Sequence, residues 1–533
     1  MSYPSFEQYN NALQAHQRLL TDTELQRGSV AKTGLGIPLA ISGGFALTYT
    51  ISSGSKKYAV RCFHRESKAL ERRYQAIAKR LAALKSQYFL DFEFQAKGIN
   101  VDGGSYPIVK MAWAQGVTLG EYLEDNRSRK GALSGLPDSL LALSLFLERE
   151  KLAHGDLSTG NIMVAGKAGT IQLIDYDGMY VEDIKDLGSS ELGNINFQHP
   201  DRAAKNPFGP TMDRFSLIAL SLALKALDED PALWDKTNSD MDAVVFRAND
   251  FIDPASSPVF SELMRRSTLA THAQNFAAIC KAPFEKAPSL EDFLAGRNIP
   301  ATAIRISSTP ETLKARAGYM GVYDVLDAGD YQLCLRRVGD KVEVIGRIAE
   351  VKQDKARNGK PYIFINFGPW QGMIFKVSIW SEGLGAISKK PDESWVGKWV
   401  SVVGLMEPPY VSKKYHYSHL SINVTANGQM AVITAEEAKF RLAGKAAKVS
   451  AGSSANKETL AKLKGQTASS SGQSSGTLSS NKDILKNIRQ AQTGSQSRPT
   501  QSARPQSSQQ AYSPQKKPPE KGIIGKFIDW LIS

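Results

Sequence analysis

The chain has 533 residues, 42% hydrophobic and 22% charged, a length that accommodates two to four domains and a composition ordinary for a soluble globular protein. Its three cysteines, Cys62, Cys280 and Cys334, are too few and too far apart for a disulfide framework or a thiolate metal site, which points to a reducing compartment. The net charge of +13 is uneven: residues 448–521 hold twelve Lys or Arg against Glu458, Asp483 and Glu520, so +9 of the total lies there.

The first residues, MSYPSFEQYNNALQ, show neither a basic n-region nor an apolar h-region, so no signal peptide is expected. Residues 1–36 read as a short lead-in helix with an irregular continuation. Residues 37–51, IPLAISGGFALTYTI, and 58–63, YAVRCF, have the β-branched and aromatic content of strands, with Gly43-Gly44 as a turn inside the first. Residues 65–86 place Leu70, Tyr74, Ile77, Leu81 and Leu84 at three- and four-residue spacings, the stripe of an amphipathic helix. Residues 136–152 are a long apolar helix that leads straight into His154. The apolar run 217–227 is too short to cross a bilayer and reads as a buried helix. A cytoplasmic location follows as the expectation.

Residues 154–178 read HGDLSTGNIMVAGKAGTIQLIDYDG. His154-Gly155-Asp156 with Asn161 precede the apolar run Ile162-Met163-Val164, and Ile171-Gln172-Leu173-Ile174 precedes Asp175-Tyr176-Asp177. The simplest reading is strand, turn, strand, with carboxylates at both ends of a hairpin. A fold that gathers Asp156, Asn161 and Asp175 in one cleft offers three oxygen ligands, which suits a hard Mg²⁺ ion and a phosphate.

These residues resemble the protein kinase superfamily, whose catalytic loop is H-R-D-x-x-x-x-N followed by D-F-G. The resemblance covers residues 37–298 and implies an α+β, bilobal kinase-like domain using ATP and Mg²⁺ or Mn²⁺. It assigns Asp156 to the proton of the acceptor hydroxyl, and Asn161, Asp175 and the additional Asp177 to the metal. For the nucleotide it implies Gly43 and Gly44 in the glycine-rich loop, Arg61 at the position of the phosphate-binding lysine, and Glu71 (or Glu66) as the helix glutamate that pairs with it. Within residues 106–123, YPIVKMAWAQGVTLGEYL, Met111 falls at the gatekeeper and the backbone of Ala112 to Ala114 at the adenine. His199-Pro200-Asp201 falls at the A-P-E position, and Asp213 at the aspartate that braces the catalytic loop.

The departures are Arg61 for lysine, Ser158 where Ser/Thr kinases carry another lysine, and Asp177 for the glycine of D-F-G. Arginine keeps the charge but bonds through a larger planar fork. The pattern without the loop lysine is also that of small-molecule phosphotransferases. The expected activity is phosphorylation of Ser or Thr in protein substrates; the alternatives are a pseudokinase nucleotide-binding scaffold and a non-protein phosphotransferase.

Residues 299–320 read as a linker. Within 321–445, strand-like runs recur at 342–351, 361–367, 373–380, 399–405 and 419–424, which suggests a small β-barrel resembling the OB-fold. Lys355, Arg357 and Lys360, and Lys413, Lys414 and Tyr415, lie in turns among dense aromatics, the combination that binds single-stranded nucleic acid; a protein-interaction or scaffolding barrel is the alternative. Residues 446–521 are basic and Ser/Gln-rich, a disordered arm suited to polyanions. In residues 522–533, Ile523, Phe527, Trp530 and Leu531 share one helical face, suited to a partner-protein groove or a membrane surface.

Overall fold

The computed structural model describes residues 3–32, 38–42, 46–64, 69–166, 169–306, 319–338, 340–356, 359–412, 415 and 417–444. Gly43, Gly44, Glu66, Arg357, Lys413 and Lys414 lie outside the described residues, as do 307–318 of the linker and the segments 446–521 and 522–533. Helix accounts for 36% and strand for 27%, so neither class dominates and the fold is mixed α and β. Among the described residues no helix is long and apolar enough to cross a membrane.

An antiparallel sheet forms first, in the order Ser29–Val30, Ala46–Ser53, Lys56–Phe63, Gly104–Ala112, Phe92–Val101, with Ala40–Ser42 added against Ala46–Ser53. The two-residue period of Lys56–Phe63 sorts its side chains. Tyr58, Val60 and Cys62 join Tyr9, Ala12 and Leu13 of the N-terminal helix Phe6–Gln14 in one core. Ala59 and Phe63 join a second core on the other face, which places Arg61 on that second face. The helix Leu70–Leu84 covers this face with the expected stripe, Leu70, Tyr74, Ile77 and Leu81 all being buried.

The same core continues into the helices Leu136–Glu150 and Arg214–Glu229 and a cluster of Phe215, Phe246, Phe251, Phe260, Phe276 and Phe293. Between these helices the hairpin Ile162–Ala165 and Thr170–Leu173 forms as the apolar runs predict, with Val117–Thr118 as a third strand. The two polar clusters therefore come together at the hairpin's open end.

Beyond residue 319 the strands divide between two sheets, and no closed barrel forms among the described residues. The reason lies in the pairing. The run expected over 342–351 divides into two strands, Lys341–Arg347, which pairs Trp399–Leu405 in the first sheet, and Glu350–Lys355, which pairs Pro361–Asn366 in the second. The second sheet runs Glu350–Lys355, Pro361–Asn366, Met373–Ile379, Tyr417–Asn423, Glu407–Ser412. Val344 and Val402 of one sheet share a core with Ile365, Phe375 and Leu420 of the other.

Met1–Asp354 and Pro361–Gly465 belong to one compact unit, so this β-region and the helices before it are parts of a single body. The second unit, Lys355–Lys360 with Gln466–Ser533, is described only at 355, 356, 359 and 360, where the Ala356 amide donates to the Lys360 carbonyl at 2.9 Å.

Candidate active site

The loop that carries Asp156 is built by backbone geometry that its own residues dictate. The helix Leu136–Glu150 ends at Lys151 in the left-handed conformation, and Ala153 then bonds Tyr180 in both directions. Asp213, at the start of Arg214–Glu229, accepts from the amides of His154 at 2.5 Å and Gly155 at 2.8 Å. Gly155 has φ +83, and a Cβ there would lie 2.3 Å from the Gly178 carbonyl oxygen. Glycine alone fits this close approach.

Asp156 is held at both oxygens. The Asn161 amide donates to Oδ2 at 2.9 Å and to the Asp156 carbonyl at 2.9 Å, and the backbone amide of Asn194 donates to Oδ1 at 2.7 Å. Burial pushes the Asp156 carboxyl up, with the nearby Asp175 charge adding to it and the bonds from Asn194 and Asn161 opposing.

Asp175 and Asp177 flank Tyr176, whose buried ring packs on Phe89, Phe92 and His154 and whose hydroxyl donates to the Leu173 carbonyl at 2.8 Å. Asp175 has φ +63, a left-handed conformation that costs a non-glycine residue about 1–2 kcal/mol. Such strain persists where the surroundings over-determine it.

Arg61 reaches both carboxylates, donating from Nη1 to Asp175 Oδ1 at 2.7 Å and to Asp177 Oδ1 at 2.8 Å, and from Nη2 to Asp177 Oδ2 at 2.6 Å. Burial would lower the Arg61 pKa, but the charges of Asp175 and Asp177 outweigh it and keep the guanidinium protonated. Burial also pushes Asp177 up to about 6, while Arg61 pulls it down and the Asp175 charge adds to the rise.

Two expectations are corrected here. Glu71 is exposed and accepts from Gln75 at 2.9 Å, one turn along its own helix, so it is not the partner of Arg61. The helix reaches the site through Tyr74, whose hydroxyl bonds Asp177 Oδ1. Asp177, expected as a metal ligand, has both oxygens taken by Arg61 and Tyr74. The departures at positions 61 and 177 thus answer each other: the wider fork of arginine meets a carboxylate placed to receive it bidentately.

Asn161 and Asp175 remain open to a ligand. The two side-chain bonds of Asn161 are made by its amide nitrogen, and 45% of the Asp175 side chain is exposed. Among the described residues no group of three or more His, Cys, Asp or Glu side chains is spaced to hold a metal by itself.

Met111 is buried at the end of Gly104–Ala112, paired with Ala59 and Phe92. The Ala112 and Trp113 amides donate to the carbonyls of Asp91 and Lys57, both at 2.9 Å, and Ala114 follows at the edge of the sheet, half-buried.

One acidic neighbour escaped the sequence. Glu191 packs beside Gly178, where a Cβ would lie 2.9 Å from Oε1. Burial raises its pKa well above the usual range, and the charges of Asp177, Asp175 and Asp156 raise it further. Nothing in its surroundings, SSELGN, marks it as a site residue, because only the fold brings it to the other carboxylates.

Tyr415 of the expected nucleic-acid set lies in the second sheet's cleft, while Lys355 and Lys360 belong to the second unit. In comparisons with known proteins, the sequence matches no protein-family model and no curated protein.

Proposed function

We propose that the chain is a divergent, bilobal protein kinase that transfers the γ-phosphoryl group of ATP to Ser or Thr hydroxyls of proteins. The observation that carries this reading is the Asp156–Asn161 pair facing a half-exposed Asp175 across the mouth of one hairpin. Asn161 and Asp175 are the residues that would hold a Mg²⁺ ion, which would supply charge neutralisation at the nucleotide's phosphates. Asp156, its carboxylate oriented by Asn161 and Asn194 and its basicity raised by burial, accepts the acceptor's proton. Arg61 holds Asp175 and Asp177 in place, since its fork is already committed to them. The backbone at Ala112 to Ala114 receives the adenine.

The test is transfer of labelled γ-phosphate from ATP with Mg²⁺ or Mn²⁺ to protein, for the parent, Asp156→Asn and Asp175→Asn. The parent alone is expected to label protein, and Asp175→Asn to lose metal-dependent nucleotide binding as well. Nucleotide binding without transfer by the parent would establish a scaffold instead, and labelling of small hydroxyl compounds only would establish a non-protein phosphotransferase.

A second reading concerns the cleft of about 890 Å³ on the second sheet. The rings of Tyr415 and Tyr417 lie parallel within 9°, and those of Tyr417 and His419 within 16° at 4.2 Å, with Trp370 43% exposed beside them. We propose that this ladder stacks the bases of single-stranded nucleic acid. Lys352 and Lys376 line the cleft together with Glu350, Asp392 and Glu393, so stacking contributes more than phosphate contact. Oligonucleotide binding is then expected to weaken only gently with salt and to fall on Trp370→Ala; absence of binding at low salt would end this reading.

A further inference from the structure

The catalytic loop lacks a cation of its own: Ser158, buried, stands between Asp156 and Asn161. The buried arginines nearby are already engaged. Arg61 bonds Asp175 and Asp177, Arg73 the Gly188 carbonyl, Arg202 the carbonyls of Pro207 and Gly155, and Arg247 Asp240, and all four are buried. Transfer of a phosphoryl group bearing several negative oxygens calls for a positive group beyond the metal.

Resting on the phosphotransferase reading, we infer that Lys341, carried by the C-terminal β-region, supplies that cation to the transferred phosphate. Lys341 opens the strand Lys341–Arg347, is solvent-exposed, and places its ammonium 4.7 Å over the ring of Tyr323. Tyr323 lines a crevice together with Asn196, Asp240 and Asp242. From there a short run of hydrogen bonds reaches the catalytic loop. The side chains of Asn194 and Asn196 donate to the Asp242 carbonyl at 3.1 and 3.0 Å, and the Asn194 amide donates to Asp156.

The β-region is fixed against this crevice. Two residues along from Lys341, on the same face of the strand, Glu343 accepts from Arg441 at 2.9 Å, Tyr319 at 2.9 Å and Ser401 at 2.7 Å. Arg441 also reaches Glu437 at 2.7 Å and Asp240 at 3.3 Å. Between Asp240 and Asp242, the Met241 carbonyl accepts from the Thr159 hydroxyl of the catalytic loop, and the Met241 side chain is pressed against Gly428, where a Cβ would lie 1.8 Å from Sδ. One loop is gripped by the catalytic loop on one side and the β-region on the other.

The electrostatics agree with this placement. Tyr323 first, and then the charges of Asp242 and Asp175, hold the Lys341 ammonium above its ordinary range against desolvation. The Tyr323 hydroxyl is raised by burial and, among other charges, by Asp156.

The experiment uses the full chain with Lys341→Ala and Lys341→Arg, reading kcat and KM for γ-phosphate transfer and the affinities for ADP and an unhydrolysable ATP analogue. Because Lys341 is exposed, both variants are expected to melt with the parent. Lys341→Ala should lower kcat about 100-fold, the scale of losing one charge-stabilising donor, and reduce the affinity for the ATP analogue more than that for ADP. Lys341→Arg should restore most of both. A Lys341→Ala variant with unchanged kcat and unchanged analogue preference overturns the inference while leaving the kinase reading intact; faster transfer overturns it in favour of a β-region that obstructs the cleft. A parent that transfers no phosphate overturns both.

Discussion

Arg61 and Arg441 are both buried, both fork across carboxylates from distant parts of the chain, and differ in what surrounds the fork. Around Arg441, Glu343 is completed by Tyr319 and Ser401, and Asp240 by Arg247, so the charges close on one another. Around Arg61, two carboxylates, Asp175 and Asp177, share one guanidinium with Asp156 and Glu191 close by, and Asp175 opens toward solvent. A closed network is what a joint between two parts of a body requires. An open one with excess negative charge and raised carboxyl pKa values is the arrangement expected where a cation is to be received.

Breaking the closed network should have the largest effect on stability. Arg441→Met takes the arginine from the buried carboxylate of Glu343, which is expected to cost about 3–5 kcal/mol of unfolding free energy. Urea unfolding of the variant measures it; a loss below about 1 kcal/mol would mean that the joint is held by packing alone. The open network should respond less in stability and more in coupling. A double-mutant cycle on Arg61→Met and Asp177→Asn is expected to give an interaction energy of about 1–3 kcal/mol, and a value near zero would show that the two departures do not compensate each other.

The pH dependence involves a raised carboxylate on each side of the comparison, Asp177 beside Arg61 and Asp242 beside Asp240 and Glu343. Asp177 titrates near 6 in the folded chain against an ordinary 3.8, burial being the main cause. The folded chain therefore binds this proton more readily than the unfolded one, so the contribution to stability is complete below the ordinary value and is lost as the pH rises through about 6. Asp156 and Glu191 have the same sign, and Asp175, held down by Arg61 against its burial, has the opposite one. Asp177→Asn should flatten the fall in unfolding free energy between pH 4 and pH 7, measured by urea titration, without abolishing it, because Asp242 also titrates near 6. An unchanged slope would place the proton elsewhere in the cluster.

Much of the site was legible because its residues are close in sequence. Asp156, Asn161 and Asp175 are joined by one hairpin, and the alternation of polar clusters with apolar runs was enough to bring them together. The stripe of Leu70, Tyr74, Ile77 and Leu81 likewise marked its helix from spacing alone. The pairing of Arg61 with Asp177 spans 116 residues and had no local signal; only the joint departure from the kinase pattern hinted at it. In the β-region, Glu407–Ser412 was missed because Pro408-Pro409 reads as a break, yet the strand pairs Tyr417–Asn423 at the edge of its sheet, where proline is tolerated. Val325–Asp327 and Met430–Ile433 were too short to stand out, and without them five strands looked like one barrel rather than part of two sheets.

The smallest effect sharpens the comparison most economically. If the resemblance held residue by residue, Glu71 would be the partner of the strand cation and its loss would be severe. In the structure Glu71 is exposed and accepts from Gln75, while the fork of Arg61 is filled by Asp175 and Asp177 and steadied from the same helix by Tyr74. Glu71→Gln should therefore change unfolding free energy by no more than about 0.5 kcal/mol and leave nucleotide affinity and phosphate transfer at parent levels. A marked loss of transfer with stability intact would mean that the helix turns to bring Glu71 to Arg61 when nucleotide binds, and that the arginine exchanges Asp177 for Glu71 during the reaction.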